Sequence, residues 1–259
     1  MKLHFYKYQG TGNDFIMVDN RSLFFPKENV QLIEKLCDRR FGIGADGLIL
    51  LDPSTTEDFT MVYYNADGNE GSMCGNGGRY LVAFANQLAV IKNETTFDAV
   101  DGLHYATIEN GIVSLKMIDV TDIEETSTHS FLNTGSPHHI RFCNSVADIN
   151  VKETGANIRY GAPYFEKGTN VNFAEQTAPN AFKVRTYERG VEDETLACGT
   201  GVTAVAIAAN KASKTKDSTV QVEVMGGHLE VSFEKIGESY TNVFLKGPAT
   251  FVFEGNIEI

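Results

Sequence analysis

Two cysteines in closely similar surroundings are the residues of this sequence whose type and spacing best suit chemistry. Each lies in a Cys-Gly-X-Gly turn, in the segments Met73-Cys74-Gly75-Asn76-Gly77 and Ala197-Cys198-Gly199-Thr200-Gly201. Each turn leads into an apolar, alanine-containing run, residues 79–90 and 202–211, which predicts a buried helix. We therefore predict that both cysteines stand at helix N termini, where backbone N–H groups can hold a carboxylate and favour a thiolate.

The similarity of the two segments extends beyond the cysteines. The repeated stretches run from Ser72 to Tyr80 and from Leu196 to Val202. Asn65 precedes Cys74 by nine positions, and Arg189 precedes Cys198 by the same interval. This register indicates one ancestral unit used twice. It predicts two domains, residues 1–118 carrying the first cysteine and residues 119–259 carrying the second, with the last strand able to pack back on the first half.

Composition restricts the classes of function. The 259 residues carry a formal charge of −12, which argues against a nucleic-acid or anionic-membrane partner. No stretch approaches 18 uninterrupted apolar residues, and the first residues lack the apolar core of a signal peptide. Four cysteines in so long a chain do not form a dense disulfide framework. These features predict a cytoplasmic protein with a small-molecule ligand.

The elements that must position the cysteines are mostly short strands. In the first half we predict a helix from Glu28 to Arg39, and strands at residues 3–8, 15–18, 48–51, 59–64, 95–99, 103–109 and 112–118. In the second half we predict strands at residues 139–143, 170–173, 181–187, 219–224, 228–233, 242–245 and 249–253. A polar stretch at residues 119–128 separates the halves.

If the two halves bring both cysteines to face one carbon acid, the pair suggests a specific reaction. If one is thiolate and the other thiol, the first can remove a proton while the second delivers one to the opposite face and inverts the centre. Such a pair titrates as a unit, and His138 and Glu188 are candidates for setting its proton count. No pyridoxal lysine motif, metal cluster or nucleotide motif stands beside these residues, so the reaction is predicted to need neither a cofactor nor a metal.

Other interpretations of the cysteines remain open at this point. Cys74 and Cys198 could form a structural disulfide that joins the halves, although the glycine-flanked helix starts favour a chemical role. Redox catalysis is disfavoured because there is no Cys-X-X-Cys motif. Cys37 and Cys143 are predicted to be packing residues.

The sequence resembles the diaminopimelate epimerase family almost from end to end. The resemblance is carried by six ordered motifs: residues 10–15 (Gly-Thr-Gly-Asn-Asp-Phe), 41–47 (Phe-Gly-Ile-Gly-Ala-Asp-Gly), 64–68 (Tyr-Asn-Ala-Asp-Gly), 73–79 (Met-Cys-Gly-Asn-Gly-Gly-Arg), 187–190 (Tyr-Glu-Arg-Gly) and 197–201 (Ala-Cys-Gly-Thr-Gly). It implies an α/β (α+β) fold of two similar, pseudo-twofold-related domains. Each would be a curved, mainly antiparallel sheet wrapped around a central helix, and the protein would be a homodimer.

The resemblance also implies an activity and a set of site residues. The activity is cofactor-independent interconversion of LL- and meso-2,6-diaminopimelate, in lysine and peptidoglycan precursor synthesis. Cys74 and Cys198 match the acid–base pair of the family. Substrate-binding positions match Asn13, Asn65, Asn170, Glu188 and Arg189, and the helix starts that grip the reacting carboxylate match Gly75, Asn76, Gly199 and Thr200. His138 and Glu188 match residues that shape the ionisation of the cysteines.

Two departures from the family pattern concern the substrate contacts. Ser136 stands where many members have asparagine, so the contact made by that side chain must be shortened or bridged by water. Gly47 stands where some members have glutamine. A related two-cysteine racemase of proline or hydroxyproline is the alternative enzyme, and a non-catalytic amino-acid-binding module is the alternative from another class.

Overall fold

The computed structural model describes residues 1–71 and 73–259, so Ser72, which begins the first repeated stretch, lies outside the described residues. The chain forms two compact units. Unit 1 comprises Met1–Leu115 and Gly247–Ile259, and unit 2 comprises Lys116–Lys246. The predicted functional halves, divided between residues 118 and 119, stay a prediction.

Among its described residues, unit 1 contains ten strands and helices, most of which were predicted. They are β1 (Lys2–Gly10), β2 (Asn13–Asp19), α1 (Val30–Cys37), β3 (Gly47–Asp52), β4 (Phe59–Asn65), α2 (Gly75–Gln87), β5 (Glu94–Ala99), β6 (Gly102–Glu109), β7 (Ile112–Lys116) and β17 (Thr250–Glu258). β17 pairs antiparallel with β1, and β1 with β2. The β6–β7 turn has positive φ at both Asn110 and Gly111, which is the turn that its Asn-Gly sequence predicts.

Unit 2 has eleven elements in a comparable order. They are β8 (Ile123–Glu125), β9 (Ser130–Asn133), β10 (Pro137–Cys143), α3 (Val151–Tyr160), β11 (Asn170–Ala178), β12 (Ala181–Glu188), β13 (Asp193–Thr195), α4 (Gly199–Lys211), β14 (Thr219–Val224), β15 (Gly227–Ile236) and β16 (Ser239–Pro248). β8 pairs antiparallel with β9, and β9 with β10. β8 and β9 thus repeat the pairing of β17 and β1.

The same succession of pairings follows in both units. β2 and β3 are parallel, as are β10 and β11, and α1 or α3 supplies the crossover that parallel strands require. β4 and β5 are parallel, as are β12 and β14, and the crossover is α2 or α4. The remaining neighbours in this succession are antiparallel. The topology therefore confirms the internal repeat and the mixed α/β class.

The two crossover helices that begin at the cysteines are buried, as predicted. In α4 every residue from Val202 to Ala209 is completely buried, and the apolar side chains among them form one cluster with side chains of β12, β14, β15 and β16. In α2 every residue from Gly75 to Ala85 is buried. A helix that carries apolar side chains on most of its surface is buried in the protein interior.

The helix α3 and the short strands β8, β9 and β13 are not among the predicted elements. Within α3 only Val151 and Gly155 are buried, so the sequence lacks the apolar periodicity of an ordinary surface helix. Gly155 packs so closely on Tyr187 that a Cβ atom at position 155 would lie 2.4 Å from the Cβ of Tyr187. Asn150 caps the helix by accepting from the N–H of Glu153 at 3.3 Å. None of the helices in the described ranges is long and apolar enough to span a bilayer.

Candidate active site

Most of the predicted site residues lie at the ends of strands or at the start of a crossover helix in their unit. The register and the order of the strands place them there. In unit 1, Gly47 at the start of β3 pairs with Asn65 at the end of β4. Asn13 begins the neighbouring parallel strand β2. In unit 2, Asn170 begins β11 and Glu188 ends β12, and the residues next to them, Val171 and Tyr187, pair with each other. Each crossover helix begins shortly after β4 or β12 ends, with a cysteine at its start.

Cys74 is the N-cap residue of α2. Its sulfur accepts a hydrogen bond from the backbone N–H of Gly77 at 3.4 Å. Such an acceptor position at the positive end of a helix favours the thiolate over the thiol. The prediction that this cysteine begins a helix is confirmed.

Arg79, five residues after Cys74 in the sequence, places a cation inside unit 1. Its side chain is completely buried and donates from Nη1 to the carbonyl oxygen of Gly75 at 3.4 Å. Its Nε and Nη2 atoms have no hydrogen-bond partner among residues 1–71 and 73–259. Burial lowers the pKa of Arg79, whereas Tyr80 and the sulfur of Cys74 act in the opposite direction. Because this interaction is mutual, the guanidinium favours the thiolate of Cys74.

Asn13 and Asn76 are joined in a hydrogen-bonded chain that fixes both carboxamides. Asn76 Nδ2 donates to Asn13 Oδ1 at 3.2 Å, and Asn13 Nδ2 donates to Asp46 Oδ2 at 2.6 Å. Asp46 is itself held by Arg39 Nη2 at 2.8 Å. The ionised carboxylate of Asp46 can only accept hydrogen bonds, so the atom of the Asn13 carboxamide that faces it must be the amino nitrogen Nδ2. Asp46 was not predicted as a site residue, although it lies in a motif that the sequence singled out.

A second carboxylate stabilises the same part of unit 1. Asp14 contacts Lys7 Nζ at 2.7 Å and Arg39 Nη2 at 2.6 Å. Burial alone would raise the pKa of Asp14, but hydrogen bonds and charge from Arg39 and Lys7 outweigh it and lower the pKa to about 2. This cluster of charges anchors the turn that carries Asn13.

Cys198 occupies the corresponding position at the start of α4, but its environment is different. The side chain forms no cap hydrogen bond to the helix backbone, and its sulfur lies 3.5 Å from Thr200 Oγ1. Thr200 Oγ1 is also 2.9 Å from His138 Nε2, and His138 Nδ1 is 3.0 Å from Asn172 Nδ2. Thr186 Oγ1 donates to Asn172 Oδ1 at 3.0 Å. These contacts form a buried chain of hydrogen bonds, here called the relay, that runs from β12 through Asn172, His138 and Thr200 to the sulfur of Cys198. Gly201 leaves room for the relay, because a Cβ atom at position 201 would lie 2.4 Å from Asn172 Oδ1.

The direction of this relay follows from its fixed members. Asn172 also contacts the carbonyl oxygen of His139 at 3.4 Å, and only its Nδ2 can donate to a carbonyl. The same Nδ2 therefore donates to His138 Nδ1, which leaves the proton of the neutral ring on Nε2. Burial, assisted by the charge of Arg189, lowers the pKa of His138 to about 3. His138 is consequently neutral near pH 7 and donates to Thr200, whose own hydroxyl proton is left for Cys198.

The other predicted residues of unit 2 form a second cluster. Asn170 Nδ2 donates to Ser136 Oγ at 2.9 Å and to the carbonyl oxygen of Pro137 at 3.1 Å, and Asn170 Oδ1 accepts from the backbone N–H of Arg189 at 2.8 Å. Ser136 therefore supports Asn170. The side chain of Arg189 is exposed and donates to the carbonyl oxygen of Lys167 at 3.0 Å.

Glu188 is held by a neighbour on the adjacent short strand. Its Oε2 accepts from Thr195 Oγ1 at 3.0 Å, and Thr195 ends β13. This hydrogen bond fixes the orientation of the Glu188 carboxylate at the end of β12. The strand β13, which the sequence did not predict, thus positions a predicted site residue.

The remaining two cysteines are packing residues, as predicted. Cys37 is buried in the core cluster of α1 and β1 to β3, and burial raises its pKa to about 12. Cys143 packs beside the cluster around α3 and donates to the carbonyl oxygen of Ala174 at 3.6 Å. Burial also raises the pKa of Cys143. Neither thiol is suited to act as a base near pH 7.

Comparisons with known proteins agree with these features. The family model for diaminopimelate epimerase matches residues 5–114 and 130–252. The chain is 60% identical over 258 residues to the diaminopimelate epimerase of Flavobacterium psychrophilum, covering 99% of this chain and 100% of that one. It is 44% identical to the diaminopimelate epimerase of Chlorobaculum tepidum, covering 96% and 99% of the two chains.

Solved structures share the fold at low sequence identity. A PhzF-family phenazine biosynthesis protein of Bacillus anthracis matches with a TM-score of 0.80 at 14% identity, over 100% of both chains. A hydroxyproline epimerase of Agrobacterium vitis matches with a TM-score of 0.71 at 12% identity, over 99% of this chain and 92% of that one. At this identity the likeness shows the fold alone.

Proposed function

The chain belongs to the diaminopimelate epimerase family, and from this premise we propose that it interconverts LL- and meso-2,6-diaminopimelate without a cofactor, with Cys74 and Cys198 as the two catalytic residues. The observation that carries the proposal is the repeated cysteine at the start of a buried crossover helix. The relatives named above support the substrate. The pathway context is lysine and peptidoglycan precursor synthesis, and the cytoplasmic location remains a prediction.

The proposed step is a proton transfer through two thiols. One cysteine, as thiolate, takes the α-hydrogen as a proton, and the electron pair of the broken C–H bond stays on the substrate. The other cysteine, as thiol, donates its proton to the opposite face of the carbon, so the configuration is inverted and the charges of the two sulfurs are exchanged. The step requires the two sulfurs to lie on opposite sides of one α-carbon.

The helix starts and the polar residues near the strand ends are assigned the remaining tasks. Backbone N–H groups at Gly75–Asn76 and Gly199–Thr200 are suited to bind the reacting carboxylate and to stabilise the charge that develops as the proton leaves. Asn13, Asn65, Asn170 and Arg189 are proposed to bind the substrate, the asparagines and the arginine being suited to its distal amino-acid group. Glu188 is proposed to contact the substrate and, with His138, to set the ionisation of the cysteines.

The structure refines the proposed role of His138. Since the ring is buried and neutral, it acts by directing the hydroxyl of Thr200 rather than by its own charge. The hydroxyl can donate to a thiolate or accept from a thiol by rotating, so it suits a cysteine that changes protonation state in each turnover.

The proposal is tested with purified protein and LL-diaminopimelate in D₂O under reducing conditions, with chiral separation and mass analysis of the products. We expect meso product that carries one α-deuterium. Cys74→Ala and Cys198→Ala should each abolish its formation while leaving the fold intact, whereas Cys143→Ala serves as the control thiol. Full activity of either catalytic variant would exclude the two-base step. Turnover of proline or hydroxyproline instead would favour the alternative racemase, and binding without turnover would favour the binding module.

We also propose a homodimer. The strand β17 exposes three consecutive large apolar side chains, Phe251, Val252 and Phe253, which are between 42% and 50% exposed. Exposed large apolar side chains that lie close together favour a protein–protein interface. Size-exclusion chromatography with light scattering should give twice the chain mass of 28.5 kDa, and Val252→Asp should shift the mass toward the monomer. A monomeric wild-type protein would contradict this proposal.

A further inference from the structure

Tyr63, on β4, makes a contact that was not among the predicted features of the site. Its hydroxyl donates to Oδ1 of Asn65 at 2.8 Å. Its ring meets the ring of Phe15 edge to face, with centroids 5.5 Å apart. The phenol is therefore held on one side by an aromatic neighbour and reaches the carboxamide at the end of its own strand.

Two glycines make room for this ring. At Gly71 a Cβ atom would lie 2.5 Å from Cε1 of Tyr63, 2.7 Å from Cδ1 and 3.1 Å from Nδ2 of Asn65. At Gly47 a Cβ atom would lie 2.8 Å from Cε2 of Tyr63 and 2.4 Å from the carbonyl oxygen of Tyr64. Contacts shorter than 3.0 Å are essentially never seen for a real Cβ atom. Position 47, where some family members have glutamine, has no room for a side chain, and the ring of Tyr63 occupies that space.

The contact determines what Asn65 can offer to a ligand. Because Oδ1 accepts from the phenol, Nδ2 is the group of the carboxamide that is left to donate to a ligand. Nδ2 forms no hydrogen bond to any of residues 1–71 and 73–259, and Asn65 is exposed. An oriented N–H₂ group that is polarised by a hydrogen bond at its own oxygen is a suitable donor to a carboxylate. Fixing an exposed side chain before binding also reduces the entropy lost when the ligand binds.

We propose that Tyr63 is a specificity-determining residue that positions Asn65 to bind the carboxylate of the distal, non-reacting amino-acid group of the substrate. This inference rests on the function proposed above. Tyr63 acts through Asn65 and takes no part in the proton transfer. Gly47 and Gly71 belong to the same arrangement because they leave room for the ring.

The test is steady-state kinetics of Tyr63→Phe with LL-diaminopimelate. Removal of the hydroxyl should raise KM by about 3- to 10-fold, the size expected for one lost neutral hydrogen bond, and leave kcat within about twofold. Tyr6→Phe is the matched control, since Tyr6 also lies in a strand of unit 1 and its hydroxyl contacts none of the proposed site residues. The control should keep the wild-type KM.

A second variant separates positioning from general damage to the fold. Gly71→Ala should raise KM in the wild-type background, because the new methyl group displaces both the Tyr63 ring and Nδ2 of Asn65. In a Tyr63→Leu background, which lacks the outer ring atoms, the same substitution should have a smaller effect on KM, and the two changes should be non-additive. Thermal unfolding of each variant monitors the fold.

The outcomes distinguish this inference from the proposed function. If the wild-type protein does not epimerise diaminopimelate, the proposed function fails and the inference fails with it. If the wild-type protein is active but Tyr63→Phe has an unchanged KM, or a reduced kcat at unchanged KM, only the role assigned to Tyr63 is overturned.

Discussion

Replacing Thr200 by valine tests whether the relay from Asn172 through His138 controls Cys198. Thr200 Oγ1 lies 3.5 Å from the sulfur and 2.9 Å from His138 Nε2. Valine has nearly the same shape as threonine, but its methyl group replaces the hydroxyl. The sulfur then loses the donor that the relay directs toward it, whereas the helix start and the backbone stay in place.

The expected size follows from the geometry. Hydrogen bonds to charged groups contribute about 1.5–3 kcal/mol. The 3.5 Å separation from a sulfur atom places this bond near the lower limit. A loss of about 1.4 kcal/mol raises the pKa of the thiol by about one unit and lowers the population of thiolate near neutral pH about tenfold. We therefore expect kcat/KM to fall by about 10-fold or more when Cys198 must act as the base.

The assay is alkylation by iodoacetamide as a function of pH, with each cysteine followed separately by mass spectrometry of its peptide. In Thr200→Val the midpoint for Cys198 should move up by about one pH unit, and the midpoint for Cys74 should stay near its wild-type value. Thr200→Ser keeps the hydroxyl and should restore the wild-type profile. Thr203→Val is the matched control, since its buried hydroxyl in the same helix donates to the carbonyl oxygen of Gly199 at 3.0 Å.

Two results would refute this reasoning. An unchanged alkylation profile of Cys198 in Thr200→Val would show that the hydroxyl does not favour the thiolate. Equal shifts in Thr200→Val and Thr200→Ser would show that the effect comes from packing at position 200 and not from the hydrogen bond.

Three further predictions concern the neighbours of the cysteines. Asp46→Asn removes the charged acceptor of Asn13 and should raise KM by about 10-fold, as measured by initial rates. Arg79→Met removes the buried cation near Cys74 and should move the alkylation midpoint of that cysteine upward, whereas Arg79→Lys should keep much of the effect. Because the pKa of His138 is about 3 when folded and its ordinary value is 6.5, the unfolded chain takes up the proton first. Its contribution to stability is complete above pH 6.5 and is lost between pH 6.5 and 3, so thermal unfolding of His138→Gln should depend less on pH in that window.

Much of the fold could be predicted because local sequence and tertiary environment agree. The runs 79–90 and 202–211 are rich in apolar and alanine residues, which favours a helix that is largely buried, and the glycines before them lie where each helix begins. The Asn110-Gly111 pair specifies its own turn. By contrast, Gly155 lowers the helix propensity of α3 but is required by the close approach of Tyr187, a constraint that no local pattern reveals.

The site shows the same division between local and long-range information. The sequence motifs located the cysteines and the helix starts. The partners of these residues come from distant strands, and the register of β10 beside β11 is what brings Asn172 to His138. A signal for Asn172 was present, since two asparagines at positions 170 and 172 alternate with Val171 and Phe173 in a strand that is fully buried there. A buried amide in such a strand must have partners, which makes it a candidate for a structural or chemical role.

The repeated architecture does not give the two cysteines equivalent chemistry. Cys74 accepts a hydrogen bond from the backbone N–H of Gly77 and interacts with the buried guanidinium of Arg79. The sulfur of Cys198 instead lies beside the neutral hydroxyl of Thr200, at the end of the relay through the neutral His138. A buried cation stabilises a thiolate more strongly than a neutral donor does. If the two thiols act as proposed above, we therefore expect Cys74 to be the thiolate and Cys198 the thiol in the resting protein. The rotating hydroxyl of Thr200 then lets the second sulfur exchange roles without any change in the charge of its surroundings.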